Sequence, residues 1–395
     1  MRKEIREVVI VSAARTPVGS FMGALSTVPA PKLGATVIKE VVKRAGIKPE
    51  DVDEVIMGNV ITGGEGQAPA RQATIFAGLP VETEAMTINK VCGSGLKSVM
   101  LAEQAVALGD ADIIVAGGME NMSLAPYSLP KGRAGYRMGA GSIEDLMVKD
   151  GLWDVYSDFH MGKAADICGK ECGFSREEQD AFAVESYKRS LNAIEKGYFK
   201  DEIVPVEVPS RKGPIIVDED EEPGRVKFDK IPQLKPAFSK DGTVTAANAS
   251  SINDGAAAVV VMAKEKAEEL GLKPIAKIVA HSSAATEPTY FTKAPVAAIN
   301  KVLKIAGLTK DDIGLWEINE AFSLVTMLAN REIGIDPSIV NVHGGAVSIG
   351  HPIGGSGTRI FTTLLYAMKQ KNVKRGLATL CIGGGEAAAL IVELI

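Results

Sequence analysis

The chain has 395 residues, a net charge of −5, and 46% hydrophobic but only 5% aromatic residues. That length can bury a large interior without disulfide staples, and an interior of Ala, Val, Ile and Leu suits helices packed closely on a sheet, so an α/β class is expected. The acidic balance gives no electrostatic basis for binding nucleic acid or a membrane surface, no stretch approaches transmembrane length, and four cysteines without a pairing pattern fit a reducing cytoplasm.

In chain order, the run Val8–Ala13 is too short for a signal-peptide core and reads as a buried first strand. LGATVIKEVVKR followed by AGIKPEDV (45–52) reads as a helix, a glycine stop and a strand. After Cys92, GSGLKSVMLAEQAVALG reads as a Gly-rich turn opening a helix, and ADIIVAGGME as a buried strand ending in glycines. Residues 122–248 break this style with KGRAGYRMGAGS, a polar helical stretch around SREEQDAFAVESYKRS and the acidic run DEDEEPGR; such an insertion is expected to be a solvated face or a lid. Residues 243–263 resume the small, apolar style of the core. PVAAINKVLKI with AGLTKDDI (306–313) then repeats the first pattern about 260 residues on, and GSGTRIFTTLLYAMKQ with GLATLCIGGGE repeats the second. Two related α/β halves are expected, with reactive groups at strand-to-helix turns. The boundaries fall at 1–121 plus 249–271 for the first core, 122–248 for the insertion and 272–395 for the second core.

Four side chains stand where such turns are expected. Cys92, in NKVCGSGLKS, lies where helix-terminal N–H groups would favour the thiolate that attacks carbonyls; the bland alternative is a small buried hydrophobe. The glycines after it would permit close approach by a substrate and expose N–H groups as oxyanion donors. His351, in VHGGAVSIGHPIGGSG, is a base candidate on the same glycine argument, with His343 as a second histidine in the segment. Asn319, in WEINEAFS, either holds a water or oxyanion or simply forms a turn. Cys381, in ATLCIGGGE, reads alone as a core cysteine, but beside Cys92 and His351 as a second sulfur for acid/base work. Cys168 and Cys172 fall four apart without further ligands at metal-site spacing, so they read as structural, and no metal is expected. No P-loop or dinucleotide fingerprint follows a convincing strand.

Taken together, SAARTPVGSF, NKVCGSG, AGGMENMS, NEAF, GGAVSIGHPIGGSG and CIGGGEAAAL resemble, in this order and over essentially the whole chain, the thiolases, and within them the acetoacetyl-CoA branch. The resemblance implies a five-layered fold of two duplicated βαβαβαββ halves with a loop domain inserted in the first. It implies a Claisen condensation of two acetyl-CoA to acetoacetyl-CoA and CoA, or the reverse thiolysis. Cys92 then corresponds to the acylated nucleophile, His351 to its base, Cys381 to the acid/base at the second acetyl-CoA, and Asn319 to the holder of a water at the enolate oxygen. The N–H groups of Cys92 and Gly383 would form an oxyanion hole. His160, Met161 and Ser250 correspond to pantetheine-side contacts, with Met161 closing the pocket to long chains, and Arg225 to a contact for the nucleotide end of CoA. A cytoplasmic homotetramer, with CoA thioesters as substrates and no other cofactor, is the family expectation.

Three departures stand out. His343 replaces the more usual Asn; Glu386 and Ala387 replace a Met, Gln or Asn followed by Gly beneath Cys381. TEPTYFTKAPV resembles potassium-responsive thiolases, yet Pro223 stands where their ion-binding Tyr would align, which argues against a potassium requirement. Competing readings are a longer-chain 3-ketoacyl-CoA thiolase and a thiolase-fold scaffold that binds acyl-CoA without turnover.

Overall fold

A computed structural model describes residues 5–395. The opening run forms strand β1 (Val8–Arg15), buried throughout. There follow α1 (Ala30–Ala45), β2 (Glu54–Gly58), α2 (Pro69–Phe76), β3 (Glu84–Ile88), α3 (Ser94–Leu108) and β4 (Ile113–Asn121). The insertion carries helices α4 (Met161–Cys172) and α5 (Arg176–Glu195). The chain returns as β5 (Asn253–Ala263), which pairs antiparallel with both β1 and β4 and completes the first half. The second half runs β6 (Ala276–Ala285), α6 (Ala294–Ala306), β7 (Leu315–Ile318), α7 (Ser323–Ile333), α8 (Ile353–Lys371), β8 (Arg375–Ile382) and β9 (Glu386–Leu394).

The repeated helix stops have a common cause. α1, α3 and α6 end at Gly46, Gly109 and Gly307, each in the left-handed conformation that costs glycine nothing; α8 ends the same way at Asn372, a residue type that tolerates it. The strands line up as β7-β8-β9-β6-β1-β5-β4-β2-β3, and the two half-sheets meet where β1 and β6 pair at only Val9–Lys277 and Ile10–Ala276. Each half-sheet is covered on both faces, which is why β1, β4 and β5 are buried at every position and mostly apolar. α1 and α2 bury their apolar faces on one side of the first half-sheet. Leu96, Val99 and Met100 of α3 mesh with Ile360, Phe361 and Leu364 of α8 between the two half-sheets, and α6 covers the far side of the second. The result is five layers, helices outside, between and outside two sheets. Each fully withdrawn Leu, Ile or Phe contributes roughly 1.5–3 kcal/mol.

The duplication is incomplete at one strand, and one expectation needs correction. The second half lacks a full third strand: Val340 makes only an isolated bridge to Trp316. The reason is Asn341, whose amide accepts from the Ile318 N–H and donates to the Ile318 carbonyl, both at 2.8 Å, so a side chain takes the place of strand backbone. The acidic run of the insertion, in turn, is not simply solvated. Asp220 is buried and binds the fully buried Arg15 through both oxygens at 2.7 and 2.9 Å, with Glu202 on the guanidinium's other edge. A buried guanidinium demands anions, so this run docks on β1 instead of facing water. Glu221 adds two bonds, accepting from the N–H groups of Ser20 and Ala24 at 2.9 Å. The polar helix α5 also has a buried side, through which Ser186 donates to Glu320 at 2.7 Å.

Candidate active site

Cys92 sits in a tight turn between β3 and α3. Its neighbour Val91 has φ 47, a left-handed conformation that a β-branched residue adopts only under constraint, at a cost of order 1–3 kcal/mol. Ser94 supplies the constraint: its hydroxyl donates to the Val91 carbonyl at 2.7 Å and accepts from the Lys90 N–H at 2.8 Å. The turn presents the Cys92 thiol, half-buried, to a cavity of about 520 Å³. The same cavity is lined by His351, Gly383, His160, Met161, Ser250 and Arg225, so residues drawn from both halves and the insertion converge there. Asn319 and Cys381 do not line it. Both are buried, Asn319 just past the end of β7 and Cys381 within β8, packed with Met161, Phe291 and Phe322.

The electrostatics differ from the expected resting thiolate. Burial pushes the Cys92 thiol up to about 11, and Glu120 adds to the rise, while the N–H groups of Gly383 and of Cys92 itself pull the other way without reversing it. The first turn of α3 does not offset the loss of water, so Cys92 rests as a thiol and needs a base. Burial, then the proximity of Cys92, holds the Cys381 thiol well above its usual range.

His351 can be that base. Its Nδ1 lies 2.5 Å from the Ser356 hydroxyl, and that hydroxyl donates its own hydrogen to the Pro352 carbonyl at 2.9 Å. Ser356 must therefore accept from His351, which puts the imidazole hydrogen on Nδ1 and leaves Nε2 with a free lone pair. Nε2 has no protein partner among the described residues. Burial, helped by the Arg359 charge, lowers the His351 pKa to about 3, so the ring is neutral near pH 7. Asn253 fixes the backbone, accepting from the His351 N–H at 2.8 Å. Both amide atoms of Asn319 also lack protein partners among the described residues, which is the state of a group able to hold a water or an oxyanion.

The glycines flanking Cys92 and His351 have a different use from substrate access. A Cβ on Gly93 would lie 2.3 Å from Ile382 Cδ1, one on Gly95 2.8 Å from Thr358 Oγ1, and one on Gly357 2.3 Å from the Leu96 nitrogen. They allow α3 and α8 to cross at close range and to press on β8. Gly383 is the exception, with nothing nearer than 3.4 Å and the cavity in front of it.

At the outer end, His160 caps α4 by accepting from the Gly162 N–H at 3.0 Å and stacks on Phe238 with centroids 4.6 Å apart. Met161 Cε comes within 3.9 Å of a Cβ built on Gly383, closing the cavity beside it. Ser250 donates to the Ala321 carbonyl at 3.0 Å, so it offers a ligand only acceptor capacity. Arg225 is exposed and held loosely by Glu221 at 3.5 Å. Of the three departures, His343 is absorbed by packing: it is buried against Tyr198 and bonded through Nε2 to Gln370 at 2.7 Å. Glu386 pairs with Lys90, and Ala387 lies directly across from Cys381 in the β8–β9 ladder. Pro223 is buried at the start of a short 3-10 turn. Cys168 and Cys172, with sulfurs 3.7 Å apart, lie on successive turns of α4, the first buried and the second half-buried. The sequence reading missed Ser356, Asn253 and Glu120. Glu120 had a signal, a carboxylate at the end of a strand with no polar face.

A cysteine and a histidine brought together by two repeated halves at the centre of a five-layered fold define the thiolase class. Residues 8–265 match the model of the thiolase N-terminal domain and residues 272–394 that of the thiolase C-terminal domain, and the chain belongs to this family. It is 56% identical over 389 residues to an acetyl-CoA acetyltransferase of Cupriavidus necator, covering 98% of this chain and 99% of the relative. It is 53% identical over 391 residues to the mitochondrial acetyl-CoA acetyltransferase of Rattus norvegicus, covering 98% and 91%. Among solved structures, a thiolase of Ascaris suum in complex with coenzyme A superposes with a TM-score of 0.95 at 43% identity, over 99% of this chain and 100% of that one. The acetyl-CoA acetyltransferase of Bacillus anthracis gives 0.97 at 40% identity, over 99% and 100%.

Proposed function

We propose that this chain is an acetyl-CoA C-acetyltransferase, condensing two acetyl-CoA to acetoacetyl-CoA and CoA, and running the reverse thiolysis, through an acetyl thioester on Cys92. The observation that carries this reading is one cavity lined by Cys92, Gly383 and His351, whose buried Nε2 has no protein partner among the described residues, with a second thiol, Cys381, close behind.

His351 Nε2 takes the Cys92 proton as the sulfur attacks the acetyl carbonyl. The N–H groups of Cys92 and Gly383 hold the tetrahedral oxyanion. The C–S bond to CoA breaks, and Cys381 gives its proton to the departing CoA sulfur. After exchange of CoA for a second acetyl-CoA, the Cys381 thiolate removes a methyl proton while the His351 imidazolium and an Asn319-held water stabilise the enolate oxygen. The enolate carbon attacks the acetyl group, and the Cys92 sulfur leaves and recovers its proton from His351. All three groups return to their starting states.

His160, Met161 and Ser250 border the pantetheine arm, Arg225 stands at the nucleotide end, and Met161 limits the acyl chain. The substrates are CoA thioesters, no further cofactor takes part, and Pro223 argues against a potassium requirement. The enzyme works as a homotetramer in the cytoplasm, a state that light scattering of the purified protein tests; no helix among the described residues is long and apolar enough to cross a membrane. Mass spectrometry after mixing with acetyl-CoA tests the chemistry: one acetyl group on Cys92 is expected, and a full adduct elsewhere with Cys92 unmodified overturns the reading.

A further inference from the structure

The carboxylate of Glu120 lies at the end of β4, fully buried, where the turn after β2 meets the start of α8. Its Oε1 accepts from Asn59 Nδ2 at 3.0 Å and from the Ile61 N–H at 3.1 Å. Its Oε2 accepts from the Val60 N–H at 3.0 Å and from the Gly354 N–H at 2.8 Å. Four N–H donors fill the four lone-pair directions of a carboxylate, an arrangement that a protonated acid would disrupt because its O–H would face a donor. Burial raises the Glu120 pKa, and these four bonds limit the rise to about 7.

The Gly354 bond crosses between the halves and reaches a helix with no cap of its own. Pro352, at the N-cap of α8, has no side-chain acceptor, and the residue before it is His351, which lines the cavity and has its Nδ1 committed to Ser356. A helix start normally finds its acceptor in the residue just before it. Here the acceptor comes from the other half of the molecule. The approach is close: a Cβ on Gly354 would lie 2.5 Å from Glu120 Oε2. The same carboxylate holds Val60 and Ile61, which pack with Ile353 in the apolar cluster that Cys92 also touches.

We propose that Glu120 is a positioning residue for the reaction: by capping α8 from the first half it sets where His351 Nε2 stands relative to the Cys92 sulfur. This rests on the reading of Cys92 and His351 given above. Glu120→Gln turns an NH2 group toward two of the four donors and breaks the clamp without emptying its volume. Displacing a base by about 1 Å costs about 10²-fold in rate, so kcat in acetoacetyl-CoA thiolysis should fall by that order while KM for the acyl-CoA is unchanged. Single-turnover acetylation of Cys92 should slow in parallel. In a His351→Ala background the added Glu120→Gln change should alter acetylation by less than about twofold, because the group it positions is already gone.

A folded Glu120→Gln protein with wild-type kcat overturns the proposal, as does the same fold-loss with and without His351. Should that variant fail to fold, Asn59→Ala removes one of the four donors and leaves the side chains of Cys92 and His351 unaltered; it should give a smaller kcat loss with the same dependence on His351, and an unchanged kcat again overturns the proposal. Wild-type protein run alongside separates the two readings. If its Cys92 takes no acetyl group, the site assignment has failed, whereas an acetylated Cys92 with an insensitive Glu120 sinks only the positioning role.

Discussion

Strands β4 and β8 leave the same kind of helix stop and reach the same place in the two halves, yet end in different chemistry. The ninth residue after the left-handed Gly109 is Gly118; the ninth after the left-handed Asn372 is Cys381. Two positions further on stand Glu120 and Gly383. In the first half the strand end presses bare backbone against α8, and its carboxylate bonds the Gly354 N–H. In the second half the strand end carries a thiol, and its next N–H but one points at Cys92. Each strand therefore completes the reactive turn of the opposite half. The duplication supplied the scaffold, and the chemistry came from breaking its symmetry.

The largest effect that bears on this contrast is expected at the turn itself. Cys92→Ser should abolish the acetyl adduct and lower turnover by roughly 10⁴-fold or more, since a neutral hydroxyl is a poorer nucleophile; intact-protein mass spectrometry and steady-state thiolysis read both. Next comes the division of labour between the sulfurs. Cys381→Ala should lose condensation, and exchange of acetyl-CoA methyl protons with deuterated solvent, by roughly 10²–10⁴-fold. It should still accept an acetyl group, because CoA can depart as a thiolate. His351→Ala should impair both half-reactions, and rapid-quench assay of acetyl-enzyme beside the exchange assay distinguishes the two variants. A folded Cys381→Ala protein that cannot be acetylated would show that the two strand ends are not divided in this way.

A smaller change is expected where the insertion meets Gly383. Met161→Ala should open the cavity to longer 3-ketoacyl-CoAs, with about 1–3 kcal/mol of discrimination per methylene. Wild-type protein that already cleaves a sixteen-carbon substrate as well as acetoacetyl-CoA contradicts that reading. The smallest effect concerns pH. With His351 lowered to about 3 and Cys92 raised to about 11, neither group changes charge across the middle range. Glu120, raised to about 7, does titrate there, and its protonation breaks its clamp on α8 and should slow base-assisted acetylation. The sign is the same for Glu120 and His351: acetylation weakens as pH falls through about 7 and Glu120 is protonated, and is lost as pH falls further toward the depressed value of His351. Glu120→Gln should remove the limb near 7; an acid limb near pH 6.5, the ordinary histidine value, that persists in this variant would mean that water reaches the His351 ring.

The duplicated framework was legible because its signals are local. A glycine after an amphipathic helix marks a left-handed stop wherever it occurs, and Gly46, Gly109 and Gly307 all behave so. Cys92 and His351 were legible as candidates from their turns, although three of the glycines that drew attention to them, Gly93, Gly95 and Gly357, answer to the close packing of α3, α8 and β8. The rest depended on partners far away in sequence. Asp220 looks solvated until Arg15 is placed beside it, Asn341 looks like a turn former until it pairs with Ile318, and Glu120 has no visible purpose until α8 lacks a cap. The strain at Val91 left no trace in composition, since valine is among the residues least suited to its φ.

The position of β5 has a consequence for how the molecule is assembled. This strand lies between β1 and β4, yet the whole insertion precedes it in the chain. While the chain is being synthesised, β1 and β4 must wait with exposed pairing edges until residues beyond 253 have emerged, and until then the insertion has no finished surface on which to dock. A fragment ending before Asn253 is therefore not a smaller first half but an open sheet with its centre missing, and limited proteolysis should digest it where the intact chain resists.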